Sequence, residues 1–256
     1  MYSPRVCYHK LMKFLKDQAL LAGIKNICIL TGAGISKESG LKTFRDQNGL
    51  WENHDIYEVA SPLAFNNNPN LVNEFYNQRR RQLQSGEVHP NDAHIALAEL
   101  EKTGSFHTTV ITQNVDNLHE RAGSKNIFHM HGQLLKIRCK KTKKIYEWTK
   151  DLTIEDRCQC CHTKGNLRPH IVWFGEVPLF LDEIQQALLN CDLFVSIGTS
   201  GLVYPAANFV AIAKSAGAHC LEINPHPTNN AELFDETIAE VATQGVRHFV
   251  ESMLAI

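Results

Sequence analysis

Short apolar runs alternate with helical patterns along most of the 256-residue chain, and this alternation constrains the fold more than any other feature. Apolar runs bounded by loops are typical of strands that are buried on both faces of a parallel sheet. They lie at 26–34, 108–114, 126–132, 192–200 and 219–224, with helical patterns at 92–103, 182–190 and 206–217. We therefore predict an α/β fold with a Rossmann-like, doubly wound parallel sheet.

Small or polar residues follow nearly every predicted strand. Because ligands of doubly wound sheets bind at the carboxyl ends of the strands, we expect these residues to form one site. They are Gly32, Gly34, Gln113, Asn114, His131, Gly198, Thr199, Ser200 and Asn224.

Two segments interrupt the alternation. Residues 46–90 are rich in asparagine and then become helical, and residues 136–168 contain clustered cysteines and many lysines. We predict a single domain over 1–256 whose core is formed by 1–45, 91–135 and 169–256. The two interrupting segments are predicted to form a smaller inserted module, helical in the first segment and zinc-ribbon-like in the second.

The charge balance limits the partners of the chain. Lys and Arg total 26 against 27 Asp and Glu, and this near-zero net charge argues against a protein that coats nucleic acid. No apolar run approaches the ~20 residues that span a bilayer, so we expect neither a membrane nor a specific nucleic acid as a partner. The N-terminal segment lacks an apolar signal core, and we expect a cytoplasmic protein. A mitochondrial transit peptide is the weaker alternative.

Four of the eight cysteines lie close together, which indicates a metal site in a reducing compartment. Cys158 and Cys161 have the C-x-x-C spacing of a zinc knuckle and Cys139 precedes them, but Thr142 stands where the partner of Cys139 is expected. We predict one structural zinc ion held by Cys139, Cys158 and Cys161, with Cys160 or His162 as the fourth ligand. The alternative is a degenerate knuckle that holds no metal.

The sequence TGAGIS at 31–36 follows a predicted strand and has the small residues that let a backbone approach a pyrophosphate. The dinucleotide-binding fingerprint is incomplete, because Lys37 replaces its third glycine and no carboxylate follows at the expected distance. The motif therefore favours a phosphate-bearing ligand but argues against an ordinary dehydrogenase. A tight strand-to-helix turn without a ligand is the alternative.

His131 is the candidate general base, because it lies at a strand end before Gly132 and an imidazole has an ordinary pKa of ~6.5. His129, two residues earlier, is the competing candidate. Asn114 and Asp116 are also two residues apart. In an extended chain their side chains point to one side, where they can bind sugar hydroxyls or an amide.

Several motifs follow one another in a fixed order along the chain: GAGIS at 32–36, TFRD at 43–46, QNVD at 113–116, HG at 131–132, the cysteine segment, RPHIVWFGE at 168–176, GTS at 198–200 and IN at 223–224. In this order they resemble the sirtuins, which are NAD-dependent protein lysine deacylases, and among them the bacterial CobB-type members. The resemblance extends from about residue 24 to residue 250.

The resemblance implies that NAD is consumed as a co-substrate and that the strand ends bind it. A mobile cofactor loop, whose closure excludes water, is implied at Thr43, Phe44 and Arg45. The other implied contacts are Gly32, Ala33, Gly34 and Ser36 for the pyrophosphate, Gln113 and Asn114 for the nicotinamide ribose, Val115 and Asp116 for the nicotinamide, and Gly198, Thr199, Ser200, Asn224 and Ala242 for the adenosine half.

In the implied reaction, cleavage of the nicotinamide bond exposes a ribose carbon that the acyl-lysine amide oxygen attacks. His131 then deprotonates a ribose hydroxyl, with Asn114 as the second catalytic residue, and this hydroxyl attacks the imidate carbon. The products are lysine, nicotinamide and O-acyl-ADP-ribose. The implied partners are therefore acylated lysine side chains of proteins.

The substrate site is implied in the same way, and it includes part of the arginine run at 79–81. Tyr76 and Arg79, on one helix face, match the Y-x-x-R pair of the sirtuin subgroup that removes succinyl and malonyl groups. We therefore predict removal of acetyl groups and also of succinyl or malonyl groups, and we expect Arg80 and Arg81 to be solvated. The remaining implied substrate contacts are Ala60 at the pocket mouth and Val172, Phe174 and Gly175 along the peptide backbone.

The same residues are compatible with other functions. An ADP-ribosyltransferase or NAD hydrolase that uses the same site is the main alternative. A zinc-ribbon module that binds partners through its lysines and a Rossmann dehydrogenase are further alternatives.

Overall fold

The computed structural model describes residues 22–41, 50–51 and 54–255, and three sheets lie within this part of the chain. Their strands are β1 Asn26–Thr31, β2 Leu50–Trp51, β3 His54–Asp55, β4 His107–Thr112, β5 Ile127–His129, β6 Gly132–Cys139, β7 Ile145–Glu147, β8 Leu167–Ile171, β9 Leu193–Ile197, β10 His219–Ile223 and β11 Glu236–Ile238. Six of them form the main sheet in the order β11-β10-β9-β1-β4-β5, and all of its pairings are parallel. The predicted parallel sheet is confirmed.

Helices cover both faces of the main sheet. In chain order, the helices are α1 Ala33–Ser36, α2 Ile56–Val59, α3 Pro62–Asn67, α4 Pro69–Leu83, α5 Asp92–Thr103, α6 Leu118–Ala122, α7 Leu181–Asn190, α8 Phe209–Ser215 and α9 Ala242–Leu254. Of these, α5 and α9 pack on one face of the main sheet, and α7 and α8 pack on the other. Alternate residues of β1 pack in opposite directions, with Ile27 and Ile29 in the core formed with α5 and α9 and with Cys28 and Leu30 in the core formed with α7 and α8. This two-sided burial explains why the strand is apolar throughout.

The order of the strands places a topological switch point at β1. The chain passes from β1 to β4 and β5 on one side, and it later returns to place β9 on the other side of β1. At such a point the loops after two neighbouring strands diverge and leave a crevice at the carboxyl ends. The predicted binding site is at this end of the sheet.

The second layer of the molecule is built from α2, α3 and α4 and from a three-stranded antiparallel sheet in the order β7-β6-β8. Sequence reasoning missed this sheet, as well as the short edge strand β11. Two clusters of buried apolar residues lie in this layer, one around α4 and Trp173 and one around the cysteines. The predicted boundaries between core and inserted module stay a prediction.

Several element bounds differ from the prediction. The run at 126–132 divides into β5 and β6, and the helical pattern at 206–217 divides into a 3₁₀ turn at Ala206–Asn208 followed by α8. A turn at 130–131 separates the two strands, and Gly132 follows it with φ +86, where a Cβ atom would collide with the backbone oxygen of His170. Among the described residues, no helix combines the length and the apolar character required to cross a bilayer.

The prediction that Arg80 is solvated is wrong. Its side chain is 0% exposed on the inner face of α4, where Nε donates to the Leu134 oxygen at 3.1 Å and Nη1 donates to Asn77 Oδ1 at 2.8 Å. Burial lowers the pKa of Arg80 to about 10, so the group remains charged at neutral pH. Arg81 is half exposed and forms ion pairs with Glu74 and Asp151 at the surface. The helix thus buries one arginine of the run and exposes the next.

We expect Arg80→Ala to lower the free energy of unfolding by about 3 kcal/mol, because two buried acceptors lose their charged donor. The matched control, Arg81→Ala, removes a surface ion pair and is expected to cost less than ~1 kcal/mol. Urea denaturation of both variants measures the difference. Equal losses of stability would show that the contacts of Arg80 contribute little.

Candidate active site

A cleft of about 540 Å³ opens at the carboxyl ends of the main-sheet strands. Every predicted binding or catalytic residue in the described part of the chain lines it, whereas Thr43, Phe44 and Arg45 lie outside the described residues. The lining residues that were predicted are Gly32, Ala33, Gly34, Ser36, Ala60, Tyr76, Arg79, Gln113, Asn114, Val115, Asp116, His131, Val172, Phe174, Gly175, Gly198, Thr199, Ser200, Asn224 and Ala242.

Two glycine-containing loops cross at the floor of the cleft. The Gly34 N–H donates to the Gly198 oxygen at 2.9 Å, and a Cβ atom on Gly34 would lie 2.6 Å from Gly198 Cα. Gly198 itself has φ +59, in the left-handed region that favours glycine. The glycines of the TGAGIS motif therefore permit the contact between the loops after β1 and β9.

A buried polar network centres on Ser36. Its Oγ donates to Asp116 Oδ2 at 3.0 Å and accepts from Asn114 Nδ2 at 3.2 Å, so Asn114 and Asp116 point to one side as their spacing predicted. Asn114 Nδ2 also donates to the Gly32 oxygen at 3.1 Å. Desolvation raises the pKa of Asp116 above its ordinary value. The network fixes three polar side chains on the wall of the cleft.

Behind this network lie two buried histidines that sequence reasoning missed. The Nε2 atom of His94 is 3.5 Å from Ser36 Oγ, and His119 Nε2 is 3.1 Å from Thr31 Oγ1. Their ring centroids are 5.0 Å apart, and burial lowers the pKa of His94 to about 4 and that of His119 to about 3. Both rings are therefore neutral at physiological pH. The signal for His94 was its position three residues after Asn91, which is the spacing of a capping box.

The two candidate bases differ in their surroundings. His129 has Nε2 at 2.7 Å from Glu120 Oε1 and Nδ1 at 3.4 Å from the Asn114 oxygen, so both of its ring nitrogens have partners. His131 borders the cleft, and its Nδ1 lies 3.0 Å from the Gln113 oxygen. Because a carbonyl oxygen can only accept, Nδ1 of His131 carries the hydrogen and Nε2 is the basic nitrogen of the neutral ring.

The charge state of His131 follows from its burial. Desolvation lowers its pKa below the ordinary value, and the hydrogen bond to Gln113 opposes only part of this effect. The neutral ring therefore persists at neutral pH. A neutral imidazole with a basic Nε2 can accept a proton in the cleft.

The VWFGE segment, Val172–Glu176, is not a continuation of strand β8, which ends at Ile171. Its backbone instead bridges two parts of the cleft, since Val172 N donates to the His131 oxygen at 2.9 Å and Phe174 N donates to the Ala60 oxygen at 3.0 Å. Gly175 has φ +87 and lies in a turn that the Glu176 N–H closes on the Trp173 oxygen at 2.9 Å. The segment thus has one backbone contact at the candidate base and another at Ala60.

Tyr76 and Arg79 of α4 border the same cleft. The Tyr76 side chain is buried, and desolvation raises its pKa above the ordinary value, so the phenol stays neutral. The Arg79 guanidinium carbon lies 3.2 Å from the centroid of the Phe75 ring, and Nη1 donates to the Phe75 oxygen at 2.6 Å. A phenol hydroxyl and a guanidinium group are both suitable donors to a carboxylate.

The cysteine cluster lies in the antiparallel-sheet layer. In the described part of the chain it comprises Cys139, Cys158, Cys160 and Cys161, without His162, and the four sulfur atoms lie within 4.8 Å of one another. The distances are 3.9 Å between Cys139 and Cys161 and 3.3 Å between Cys158 and Cys160. Tetrahedral zinc with thiolate ligands separates its sulfur atoms by about 3.8 Å, so the cluster fits this ion.

Thr142, at the position where a ligand was expected, contacts the cluster without belonging to it. Its Oγ1 lies 3.0 Å from Cys160 Sγ, and its N–H donates to Cys139 Sγ at 3.4 Å. Cys160 therefore supplies the fourth sulfur atom that Thr142 does not.

Comparisons with known proteins agree with this geometry. The chain matches the Sir2 family over residues 32–205. It is 57% identical over 228 residues to a Pasteurella multocida protein named NAD-dependent protein deacylase, covering 89% of this chain and 97% of that protein. It is 50% identical over 243 residues to the Escherichia coli K12 protein of the same name, covering 94% and 87%.

Solved structures of Sir2 proteins are also similar to this chain. The crystal structure of a Sir2 homologue bound to NAD superposes with a TM-score of 0.85 at 37% identity, covering 96% of this chain and 95% of that one. A Sir2 protein bound to a myristoylated histone peptide superposes with a TM-score of 0.72 at 32% identity, covering 94% and 96%.

The parallel sheet, the cleft at its switch point and the cysteine cluster define a Rossmann-like α/β protein with a candidate zinc site. Within this class, the matched residues and the identity to its relatives show that the chain belongs to the Sir2 family. The resemblance inferred from the motifs is confirmed.

Proposed function

We propose that this protein is an NAD-dependent protein lysine deacylase. The observation that carries the proposal is the convergence of the glycine loops, the Ser36 network and His131 on one cleft. Relatives at 50 to 57% identity have the same activity in their names, and a homologue of the same fold binds NAD.

The cleft suits NAD in size and in chemistry. Its volume of about 540 Å³ lies in the range of small-molecule sites. In this proposal the backbone of Gly32, Ala33 and Gly34 with Ser36 holds the pyrophosphate, and the carboxamide lies at Asp116. Gly198, Thr199, Ser200, Asn224 and Ala242 hold the adenosine half. Bound NAD would supply a ribose whose carbon is activated by loss of nicotinamide and whose hydroxyl group would take up the acyl group.

The residues of the chain have distinct roles in this reaction. Asn114, held by Gly32 and Ser36, positions the ribose, and His131 Nε2 accepts the proton of a ribose hydroxyl. Val172, Phe174 and Gly175 pair with the backbone of the acylated peptide. Proteins with acylated lysines are therefore the proposed partners.

Replacing His131 tests the base assignment. We expect His131→Tyr to abolish turnover, by at least ~100-fold, because general-base catalysis contributes about that much or more. Far-UV circular dichroism and the melting temperature are expected to show a folded protein. Turnover like that of the wild type would contradict the role of His131.

The pH profile gives a second readout of the same group. The base is active in its neutral form, so activity is lost as the pH falls through its pKa, and burial has lowered this pKa. The acid limb of kcat/KM is therefore expected to have its midpoint below ~6.5, the ordinary value for histidine. A midpoint above that value would contradict a desolvated base.

The product analysis separates this function from its alternative. Incubation with NAD and matched acetyl-, succinyl- and unmodified-lysine peptides, followed by mass spectrometry, is expected to yield nicotinamide, free lysine and acyl-ADP-ribose. An ADP-ribosyltransferase or NAD hydrolase would consume NAD with the unmodified peptide as well.

The acyl specificity is proposed to include succinyl and malonyl groups. Tyr76 and Arg79 border the cleft together with Ala60, and their donors suit a carboxylate. Removal of acetyl groups is proposed alongside, because the acetyl group needs no carboxylate contact.

The combined variant Tyr76→Phe with Arg79→Met tests this specificity. Desuccinylation is expected to fall by at least ~100-fold, because two donors to a charged group are lost, while deacetylation persists. Steady-state rates on matched peptides give the ratio. An equal loss of both activities would refute the carboxylate role.

We propose that the four clustered cysteines hold one structural zinc ion, with Cys160 as the fourth ligand. Four thiolates leave no position for a reactive water, so the ion supports the fold rather than the chemistry. Elemental analysis is expected to find one zinc ion per chain, reduced in Cys160→Ala and retained in His162→Ala. Loss of zinc in the His162 variant alone would reverse the assignment of the fourth ligand.

A further inference from the structure

The side chain of Trp173 connects the VWFGE segment to α4. Its indole Nε1 donates to Tyr76 Oη at 3.0 Å, and the two side chains are 2% and 0% exposed. Because an indole N–H can only donate, Tyr76 Oη accepts, and the hydroxyl hydrogen of Tyr76 points away from Trp173. One hydrogen bond therefore restricts the direction in which Tyr76 can donate.

The Tyr76 hydroxyl also keeps its hydrogen. Desolvation raises the pKa of the phenol, so it is neutral throughout the physiological range. A hydroxyl that accepts one hydrogen bond becomes a better donor in the next. Trp173 thus acts on both the direction and the strength of the hydroxyl as a donor.

The indole ring is itself held firmly. The Arg168 guanidinium carbon lies 3.3 Å from its centroid, and the Phe65 ring packs at 5.2 Å on the same indole. Trp173 N donates to Glu176 Oε2 at 2.9 Å, and Arg168 donates to both oxygens of Glu176, at 2.6 and 2.9 Å. The direction of the indole N–H is therefore fixed by a charged pair and by packing.

We propose that Trp173 is a positioning residue for acyl selectivity. Its N–H holds the Tyr76 hydroxyl so that the hydroxyl hydrogen is directed into the cleft beside Arg79. The inference rests on the proposed carboxylate-binding role of Tyr76 and Arg79. An acetyl group has no carboxylate oxygen to accept this hydrogen, so Trp173 controls the preference for succinyl over acetyl groups.

Replacement by Trp173→Phe keeps an aromatic ring and removes the N–H. The succinyl-to-acetyl ratio of kcat/KM is expected to fall about five- to tenfold, the effect of one hydrogen bond of ordinary strength. The change is expected mainly in KM for the succinyl peptide, because the contact binds substrate and takes no part in the chemical step.

Trp148→Phe is the matched control. Its indole Nε1 also donates to an oxygen, that of Asp151 at 3.3 Å, but it packs in the cysteine layer and does not border the cleft. The ratio is expected to stay at the wild-type value in this variant. A fall equal to that of Trp173→Phe would show a general loss of structure and overturn the inference.

The effect of Trp173→Phe is next measured in the Tyr76→Phe background. With no hydroxyl to direct, the second substitution is expected to change the ratio by less than about twofold, since coupled contacts are non-additive. An equal effect in both backgrounds would mean that Trp173 acts without Tyr76. If Trp173→Phe lowers the melting temperature sharply, β-(3-benzothienyl)alanine at this position removes the N–H and keeps the bicyclic shape.

The outcomes separate this inference from the proposed function. A wild-type protein that cannot remove succinyl groups would overturn both. Wild-type desuccinylation that depends on Tyr76 and Arg79, with an unchanged ratio in Trp173→Phe, would overturn the positioning role alone.

Discussion

One row of backbone hydrogen bonds at the carboxyl end of the main sheet determines the geometry of the cleft. One residue beyond each strand, Gly32 N donates to the Ile197 oxygen, Gln113 N to the Thr31 oxygen, Met130 N to the Thr112 oxygen, Gly198 N to the Ile223 oxygen and Asn224 N to the Ile238 oxygen. The row continues the parallel pairing past the strands themselves. Four of these five donors belong to predicted site residues. The hydrogen bonds that extend the sheet therefore also fix the backbone that lines the cleft. This construction requires glycine where β1 and β9 diverge, because a side chain on Gly34 would collide with Gly198.

A network of polar side chains is buried behind the cleft, and its two histidine rings are uncharged. Ser36 joins Asn114, Asp116 and His94, and burial keeps His94 and His119 neutral. Unpaired charges in such a region would cost several kcal/mol, whereas neutral hydrogen-bonded groups are tolerated. The rigid network therefore presents an amide and a carboxyl group to the cleft in fixed orientations. His131 stands apart from it, with a backbone carbonyl that orients its ring and a basic nitrogen on the other side.

Sequence periodicity predicted the parallel sheet and the residues at its carboxyl edge, because both depend on local patterns that repeat along the chain. It did not predict which side of α4 is buried. Spacing shows that Tyr76 and Arg79 share a face, but the burial of Arg80 depends on the Leu134 oxygen, which is brought there by β6. The membership of the cysteine cluster depends in the same way on three-dimensional contacts, because Cys160 lies with the other three sulfur atoms and His162 does not. Those contacts join residues that are far apart in the chain, and local sequence patterns do not predict them.

The charge beside Trp173 adds a physical argument for the proposed acyl selectivity. Arg138 and Arg168 both donate to Glu176, so two guanidinium groups face one carboxylate. Desolvation opposes ionisation of Glu176, but the hydrogen bonds from Arg168 and from the Trp173 N–H, together with the positive charges of Arg168 and Arg138, outweigh it and lower the pKa of the carboxyl group. The three side chains therefore carry a net positive charge, close to Tyr76 and Trp173. In a partly buried region this charge is weakly screened, and it supports the proposed preference for an anionic acyl group over a neutral one of similar size.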